Sequence, residues 1–202
     1  YKLSKLTFFI MLVPAVPIIL SVDSVLILWL KEVPPYTGYF VILQIVHGLV
    51  SCLESGFDAA IDATGRIRKT KVLFNLIFLS TLPVAYLLFL WNFPPYAVSV
   101  VFITAEILFL IAQTQILSKL TDFRIVEYFS KTIMPIGLVS LAIFPQYMLA
   151  SAFGENFSGL LIRSFLSVVF TVLAIYFLGL TKDEKQIIRF NIKRISLKWA
   201  FN

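Results

Sequence analysis

The sequence predicts an all-α integral membrane protein with six transmembrane helices, and three observations lead to that prediction. The 202 residues are 59% hydrophobic and 14% charged, whereas an ordinary soluble domain is about 25% charged. Apolar runs of about twenty residues, long enough to cross a bilayer, recur along the whole chain. Basic residues lie mostly in the short segments between these runs, which is typical of helical membrane proteins.

The spans are expected to form three tandem helical hairpins over residues 1–181, followed by a basic amphipathic tail over residues 182–202. The second span opens after the first of two Pro-Pro-Tyr turns and ends at Ala63. The other five spans are expected over residues 6–22, 72–90, 97–117, 132–153 and 162–180, with a polar turn over 119–131.

The first span contains Pro14 and Pro17, each of which frees a carbonyl and bends a helix. Asp23 then interrupts the apolar run. Two interpretations of Asp23 stay open: it caps a short interfacial helix that places Trp29 at the headgroups, or it faces the bundle as an intramembrane acid.

The two Pro-Pro-Tyr turns, at 34–36 and 94–96, lie sixty residues apart and form a weak internal repeat of hairpins. Proline is tolerated at a helix start, where its missing N–H is not needed. The tail after residue 181 is expected to lie along the membrane surface as an interfacial helix. Its apolar residues at helical spacing are Ile188, Ile192, Ile195 and Trp199.

The basic residues also predict an orientation. With six spans, fifteen of the seventeen Lys and Arg fall on the side that holds both termini, and Lys31 and Arg163 fall on the other. Because cytoplasmic loops are enriched in Lys and Arg, both termini are expected in the cytoplasm and both Pro-Pro-Tyr turns outside.

A polar stripe on the second span is the candidate functional feature. Its members recur at spacings of three and four, so they share about a third of the helix circumference. They are Gln44, His47, Ser51, Glu54, Ser55, Asp58 and Asp62. Glu106 and Gln113 add polar groups to the fourth span. Intramembrane acids are costly and usually face a polar cavity or a partner.

Each charged member of the stripe has two interpretations. Asp58 and Asp62 lie near the helix end, where pairing with the basic turn over residues 66–71 would explain them. His47, Glu54 and Glu106 are deeper and indicate a polar cavity, with a buried structural pair as the alternative. Since His47 and Glu106 lie eleven and ten residues beyond the tyrosines of their turns, they are expected within about 1.5 Å of the same depth. We therefore expect them to approach one another.

Other chemistries lack their signatures in this sequence. No nucleophile elbow, phosphate-binding glycine loop or paired-histidine zinc motif occurs, so no catalytic residue, cofactor or metal is expected. Cys52 is the single cysteine and is expected to act as a small packing residue. The net charge of +6 does not form a stripe interleaved with aromatics, so no nucleic-acid partner is expected.

Four short segments resemble the polysaccharide flippases, the O-antigen and capsule exporters of the multidrug/oligosaccharidyl-lipid/polysaccharide superfamily. They occur in order over nearly the whole chain: LWLKEVPPYT at 28–37, ATGRIRK at 63–69, FPPYAV at 93–98 and GLTKDEK at 179–185. Members have two six-helix halves, and this chain resembles the C-terminal one. The resemblance implies movement of an undecaprenyl-diphosphate-linked oligosaccharide from the cytoplasmic to the outer leaflet of a bacterial inner membrane.

On that resemblance the expected partners are membrane lipid, the lipid-linked glycan, an N-terminal half and other polysaccharide-assembly proteins. The cavity candidates are Gln44, His47, Ser51, Glu54, Asp58, Glu106 and Gln113. The candidates for the phosphates are Arg66, Arg68, Lys69 and Lys71, which serve equally well as topology determinants. Two alternatives stay open: a cation- or proton-coupled drug exporter of the same superfamily, and a membrane scaffold that transports nothing.

Overall fold

The computed structural model describes residues 1–30, 32–65, 67–150 and 157–186. Within these residues the chain is helical and contains no strand. Its α-helices are α1 (Lys2–Leu20), α2 (Val22–Leu30), α3 (Thr37–Ala63), α4 (Ile67–Leu90), α5 (Ala97–Leu120), α6 (Ile125–Tyr128), α7 (Met134–Ile143), α8 (Pro145–Ala150) and α9 (Phe157–Ala174). Two π-helical segments, Phe129–Ile133 and Ile175–Gly179, follow α6 and α9.

Six helices in the described residues are long and apolar enough to cross a membrane, which confirms the predicted fold class. They are Lys2–Leu20, Thr37–Ala63, Ile67–Leu90, Ala97–Leu120, Ile125–Tyr147 and Ser158–Gly179. Most of their surface is apolar and faces outward, as expected where hydrocarbon rather than water surrounds the bundle. Helix α4 is the most exposed of the six.

The predicted arrangement as three tandem hairpins is also confirmed, since α1 packs on α3, α4 on α5, and α7 on α9. The most extensive contacts between the hairpins are those of α3 with α5 and of α1 with α9. Helix α3 therefore lies between α1 and α5, with its polar stripe near the middle of the bundle.

Glycines let α1 and α3 approach closely. A Cβ added at Gly56 would lie 2.8 Å from Ser4 Oγ, and one at Gly48 would lie 3.1 Å from Met11 Cε. Small residues at such crossings allow the van der Waals contact that holds helices together in lipid. The opposite face of α3 is thereby left to contact α5.

Residues from both Pro-Pro-Tyr turns meet at one end of the bundle. The ring of Tyr96 stacks on Tyr39 at 5.0 Å between centroids and lies 5.7 Å from Tyr36. Tyr36 has φ of 66°, a left-handed conformation that is unusual for a bulky residue. This aromatic contact holds the starts of α3 and α5 side by side, so the two helices run inward from the same level.

The short helix after Asp23 is present as α2, and Trp29 on it is 79% exposed. Asp23 lies in the first turn of α2 with an exposed side chain, so it does not face the bundle interior. Its Oδ1 lies 3.3 Å from the position of a Cβ at Gly38, beside the start of α3. Helices α1 and α4 begin several residues earlier than predicted, and Pro14 and Pro17 lie inside a continuous α1.

The predicted polar turn over 119–131 is wrong over most of its length. The fourth span continues to Leu120 and the fifth begins at Ile125 instead of residue 132. Glu127 pairs with Lys131 at 2.8 Å on the exposed side of the new helix, while Tyr128 is buried. Glu127 and Lys131, two of the charged residues that indicated a turn, therefore lie on the helix, while Asp122 and Arg124 lie in the short non-helical segment before it.

Pro135 accounts for the π-helical segment Phe129–Ile133. Pro135 has no N–H to donate to the carbonyl of Lys131, and the widened turn lies immediately before it. The end of this span beyond residue 150 and most of the predicted interfacial tail lie outside the described residues. Residues 182–186 at the start of the tail are helical.

Candidate functional site

The polar groups of α3 meet those of α5 in one line, which we call the polar seam. It consists of His47, Ser51, Glu54 and Asp58 on α3 with Glu106 and Gln113 on α5. Ser51 pairs with Glu106 and Asp58 pairs with Gln113. Both pairs are fifty-five residues apart in sequence, so the two parallel helices keep one register over about two turns.

At the end of the seam nearer the tyrosines, Glu106 has two partners on α3. His47 Nε2 lies 3.7 Å from Glu106 Oε2, which confirms the predicted approach of these residues. The Ser51 hydroxyl donates a hydrogen bond to Glu106 Oε1. The carboxylate side chain is 7% exposed and the imidazole 25%, so the pair lies at the edge of the buried seam rather than at its centre.

Glu54 lies on α3 one turn beyond Ser51 and is buried. Its Oε1 has no hydrogen-bond partner among the described residues. A buried carboxyl oxygen without a partner is energetically costly, and carboxyl groups on neighbouring turns add to that cost. The contacts of the described residues therefore do not explain why a carboxyl group is buried at this position. Glu54 is the strongest single candidate for function.

At the other end of the seam, Asp58 links three helices. Gln113 Nε2 donates to Asp58 Oδ1 at 3.1 Å, and Lys71 Nζ of α4 lies 3.7 Å from the same oxygen. Gln113 is fully buried, whereas Asp58 and Lys71 have side chains that are 45% and 54% exposed. The interpretation of Asp58 as a partner of the basic turn is thus supported, with Lys71 as the residue that pairs.

The remaining candidates among the described residues lie at the surface. Gln44 is exposed near the start of α3, and Arg68 and Lys69 are exposed on the first turn of α4. Arg66 lies outside the described residues, so the expected contact between Asp62 and Arg66 lies outside them as well. The structure therefore brings six of the seven cavity candidates together in the seam and places Gln44 apart from them.

Sequence reasoning missed a buried ion pair between Lys5 and Glu184. The pair lies at the end of the bundle that is predicted to face the cytoplasm. Lys5 Nζ lies 2.6 Å from Glu184 Oε2, and the side chains are 2% and 7% exposed. Local sequence marks Lys5 only as one of the fifteen basic residues on the side of the termini. The spacing Thr181-x-x-Glu184 is that of a capping box, which indicates a helix start but does not indicate Lys5 as the partner of Glu184.

The glutamate half of this capping box is formed in the structure, because the Thr181 N–H donates to Glu184 Oε2 at 2.8 Å. Burial alone would raise the pKa of Glu184, but the hydrogen bonds from Lys5 and from the Thr181 N–H outweigh it and hold that pKa below its usual value. Glu184 therefore stays ionised at neutral pH and pairs with the Lys5 ammonium.

The fold and the seam define the class: a helical, multi-pass membrane protein with titratable side chains along one helix contact. Comparison of the chain with models of known families, with curated proteins and with solved structures found no match. In the described residues, no three ligand-type side chains are grouped in a way that could hold a metal ion.

Proposed function

We propose that the chain is one half of a flippase that moves an oligosaccharide linked to a polyprenyl diphosphate from the cytoplasmic to the outer leaflet. The setting is the inner membrane of a bacterium, with both termini in the cytoplasm, and the product serves surface polysaccharide synthesis. The proposed partners are the lipid-linked glycan, a second six-helix half and neighbouring assembly proteins. The order and spacing of the four motifs support this assignment over other transporters.

One structural observation carries the proposal: the polar stripe of α3 is only partly covered by the other residues that the structure describes. Gln44 is exposed, and His47 and Asp58 are partly exposed, all within a helix long enough to span the membrane. A charged group that faces lipid at mid-depth costs about 2.5–3.5 kcal/mol. This face is therefore expected to meet water or a polar partner, as the wall of a transport path would.

The basic turn at the end of the stripe has the positive charge needed to bind the diphosphate of the proposed substrate. Arg68 and Lys69 are exposed, and Lys71 reaches Asp58 at the end of the seam. Arginine and lysine are the side chains that bind phosphate groups best. A diphosphate arriving from the cytoplasmic leaflet would contact this turn first and then displace Lys71 from Asp58.

The proposal is tested by flipping in liposomes that contain the purified protein and a fluorescent polyprenyl-diphosphate disaccharide. A membrane-impermeant reductant reports the label in the outer leaflet. Replacing Arg66, Arg68, Lys69 and Lys71 by Gln should slow flipping about tenfold or more, because charge-assisted contacts to the phosphates are lost.

The matched control replaces the same type of residue on the same predicted side, away from the seam: Lys119, Arg124 and Lys131 to Gln. It should leave the flipping rate unchanged. Equal rates in the two variants, at equal reconstitution, would show that the basic turn is a topology signal only. Absence of flipping by the unmodified protein, with the second half supplied, would reject the flippase and favour the scaffold.

A second function, proton- or cation-coupled export of a small molecule, is favoured by the two buried acids of the seam. Glu54 and Glu106 are both buried, and acids inside transporter bundles commonly relay protons. Glu54→Gln should then abolish uptake of a fluorescent organic cation driven by a pH gradient, while flipping of the glycan lipid is absent. The opposite result, glycan flipping without cation transport, would exclude the exporter.

A further inference from the structure

An apolar groove, which we call the α4–α5 groove, lies between the two helices of the second hairpin. Its volume is about 600 Å³, and it extends from Ile77 to Leu88 along α4 and from Tyr96 to Leu108 at the start of α5. Eleven residues of α4 give a length of about 17 Å. One leaflet of the hydrocarbon core is about 15 Å thick. Because the Pro-Pro-Tyr turns are predicted to lie outside, the groove has the length of the outer leaflet.

The groove is open because small and β-branched side chains occupy the stripes that α4 and α5 turn toward it. They recur at spacings of three and four, which place them on one face of each helix. They are Ser80, Thr81, Val84, Ala97, Val100, Val101, Thr104 and Ala105. Next to the inner end of the groove, the rings of Phe74 and Phe109 are 5.0 Å apart between centroids. This aromatic contact joins the two helices where the groove ends.

The aliphatic hydroxyl groups that line the groove already have hydrogen-bond partners. Those of Ser80, Thr81 and Thr104 each donate to a backbone carbonyl three or four residues earlier in the same helix, at 2.6–2.8 Å. None of the residues that line the groove is charged. A hydrocarbon ligand therefore leaves none of these hydroxyl donors unpaired, and it gains dispersion contacts along both walls.

The width of the groove indicates a single chain. Its volume and length give a mean cross-section of about 35 Å². A helix about 10 Å across needs roughly 80 Å², so a helix of another subunit is too wide to enter. A straight hydrocarbon chain, with neighbouring atoms at about 4 Å, fills roughly 20 Å². A chain with methyl branches fills more of the available width, and unfilled space loses dispersion contacts.

The outer end of the groove offers no charge to a headgroup. Residues 88–97, which include the second Pro-Pro-Tyr turn, contain no charged side chain. Trp91 and Phe93 are 69% and 50% exposed there, and aromatic side chains are typical of the interface between membrane and water. A lipid in the groove is therefore selected by its hydrocarbon chain, while its headgroup contributes little.

We propose that the α4–α5 groove binds one isoprenoid chain of a polyprenyl lipid while that lipid lies in the outer leaflet. The choice of a polyprenyl lipid rests on the function proposed above, whereas the room for one branched chain rests on the groove alone. The methyl branches fill the space between α4 and α5, and the headgroup lies beyond the Pro-Pro-Tyr turn. The groove thus holds the chain on the side where flipping ends, and the basic turn at the other end of α4 faces the side where flipping begins.

The test uses the protein in liposomes with a polyprenyl phosphate that carries a photoreactive diazirine in its chain. Labelled peptides are identified by mass spectrometry, and labelling is expected within residues 77–108. An excess of unlabelled polyprenol, which has no phosphate, should reduce this labelling about tenfold, as much as unlabelled polyprenyl phosphate does, because the chain supplies the apolar contact. The same excess of dioleoyl phosphatidylglycerol should leave the labelling unchanged.

Variants that fill the groove provide a second test. Ser80→Phe and Thr104→Phe each place a ring in the groove from a different helix, and both side chains are exposed. Each should reduce labelling about tenfold, because the chain loses its apolar contact area. The matched controls Leu79→Phe and Ile107→Phe place the same ring at exposed positions that do not line the groove, and they should label like the unmodified protein. If one filling variant fails to fold, the other variant and the competition experiment decide.

Four results would overturn the proposal. Equal competition by phosphatidylglycerol would show that ordinary bilayer lipid fills the groove, and competition by polyprenyl phosphate but not by polyprenol would show recognition of the headgroup. Unchanged labelling in both filling variants would place the chain elsewhere. Labelling that disappears when the second half is supplied would show that a helix of that half covers the groove.

The flippase and the groove can also fail separately. Labelling that polyprenol competes, without flipping in the liposome assay, would retain the groove and reject the flippase. Flipping by a protein whose labelling no polyprenyl lipid reduces would retain the flippase and reject the groove.

Discussion

Replacing Glu184 by Gln should destabilise the bundle, because it leaves the buried Lys5 ammonium without a counter-ion. The two groups are 2.6 Å apart, and their side chains are 2% and 7% exposed. Gln at this position still accepts the Thr181 N–H, as Glu or Gln does in a capping box, so the substitution isolates the ion pair. Removing one partner of a buried pair costs about 3–5 kcal/mol. We expect about 3 kcal/mol, since the pair lies near the end of a span.

The measurement is a double-mutant cycle, with unfolding in mixed micelles followed by tryptophan fluorescence. Lys5→Met and Glu184→Gln should each lower the free energy of unfolding, and the double variant should lose less than the sum. The coupling energy should be about 2–3 kcal/mol. The control is Glu127→Gln, which breaks the exposed pair with Lys131 and should have no resolvable effect. A coupling energy of less than about 0.5 kcal/mol would refute the reasoning, because the effects of two independent substitutions on the free energy of unfolding add to within about that value.

Acidification should remove the contribution of the Lys5–Glu184 pair to the free energy of unfolding. The pKa of Glu184 is lowered in the folded protein, so its contribution is present above the unfolded pKa of about 4.3 and is lost as pH falls through the folded value. The difference in unfolding free energy between the unmodified protein and Glu184→Gln should stay constant from neutral pH to about pH 5 and shrink below it. A difference that grows on acidification would contradict the assignment of Lys5 as the partner.

Two further predictions concern the seam and the orientation, and both use a Cys52→Ser background. Cysteines in place of His47 and Glu106 should be joined by a short bifunctional reagent, because those side chains approach to 3.7 Å; a folded protein that never crosslinks would remove the pair from the seam. Cysteines in place of the exposed Glu32 and Lys69 should react with an impermeant maleimide from outside and inside the cell, respectively. Labelling of both from outside would overturn the predicted topology.

The features that local sequence predicts well are those that depend on one helix at a time. Hydropathy over a window of residues reports the spans, and the spacing of polar residues reports which face of α3 is polar. Helical rise is uniform, so counting from the two turns was enough to place His47 and Glu106 at one depth. The start of the fifth span was misplaced because charges on one face of a helix, such as Glu127 and Lys131, have the same local composition as a turn.

The sequence by itself therefore determined the class of the protein, its six spans, its three hairpins and the polar stripe, because bilayer thickness and helix period constrain each span independently. Only the tertiary structure decided that Ser51 and Asp58 bond to residues of α5, that Lys5 pairs with Glu184, and that Asp23 and Arg163 line one cavity. Partners such as Lys5 and Glu184, 179 residues apart, or Ser21 and Arg163, 142 residues apart, leave no periodic signal in the chain. Helix association in lipid has little hydrophobic drive and depends on close packing and a few polar contacts, and those appear only when the helices are assembled.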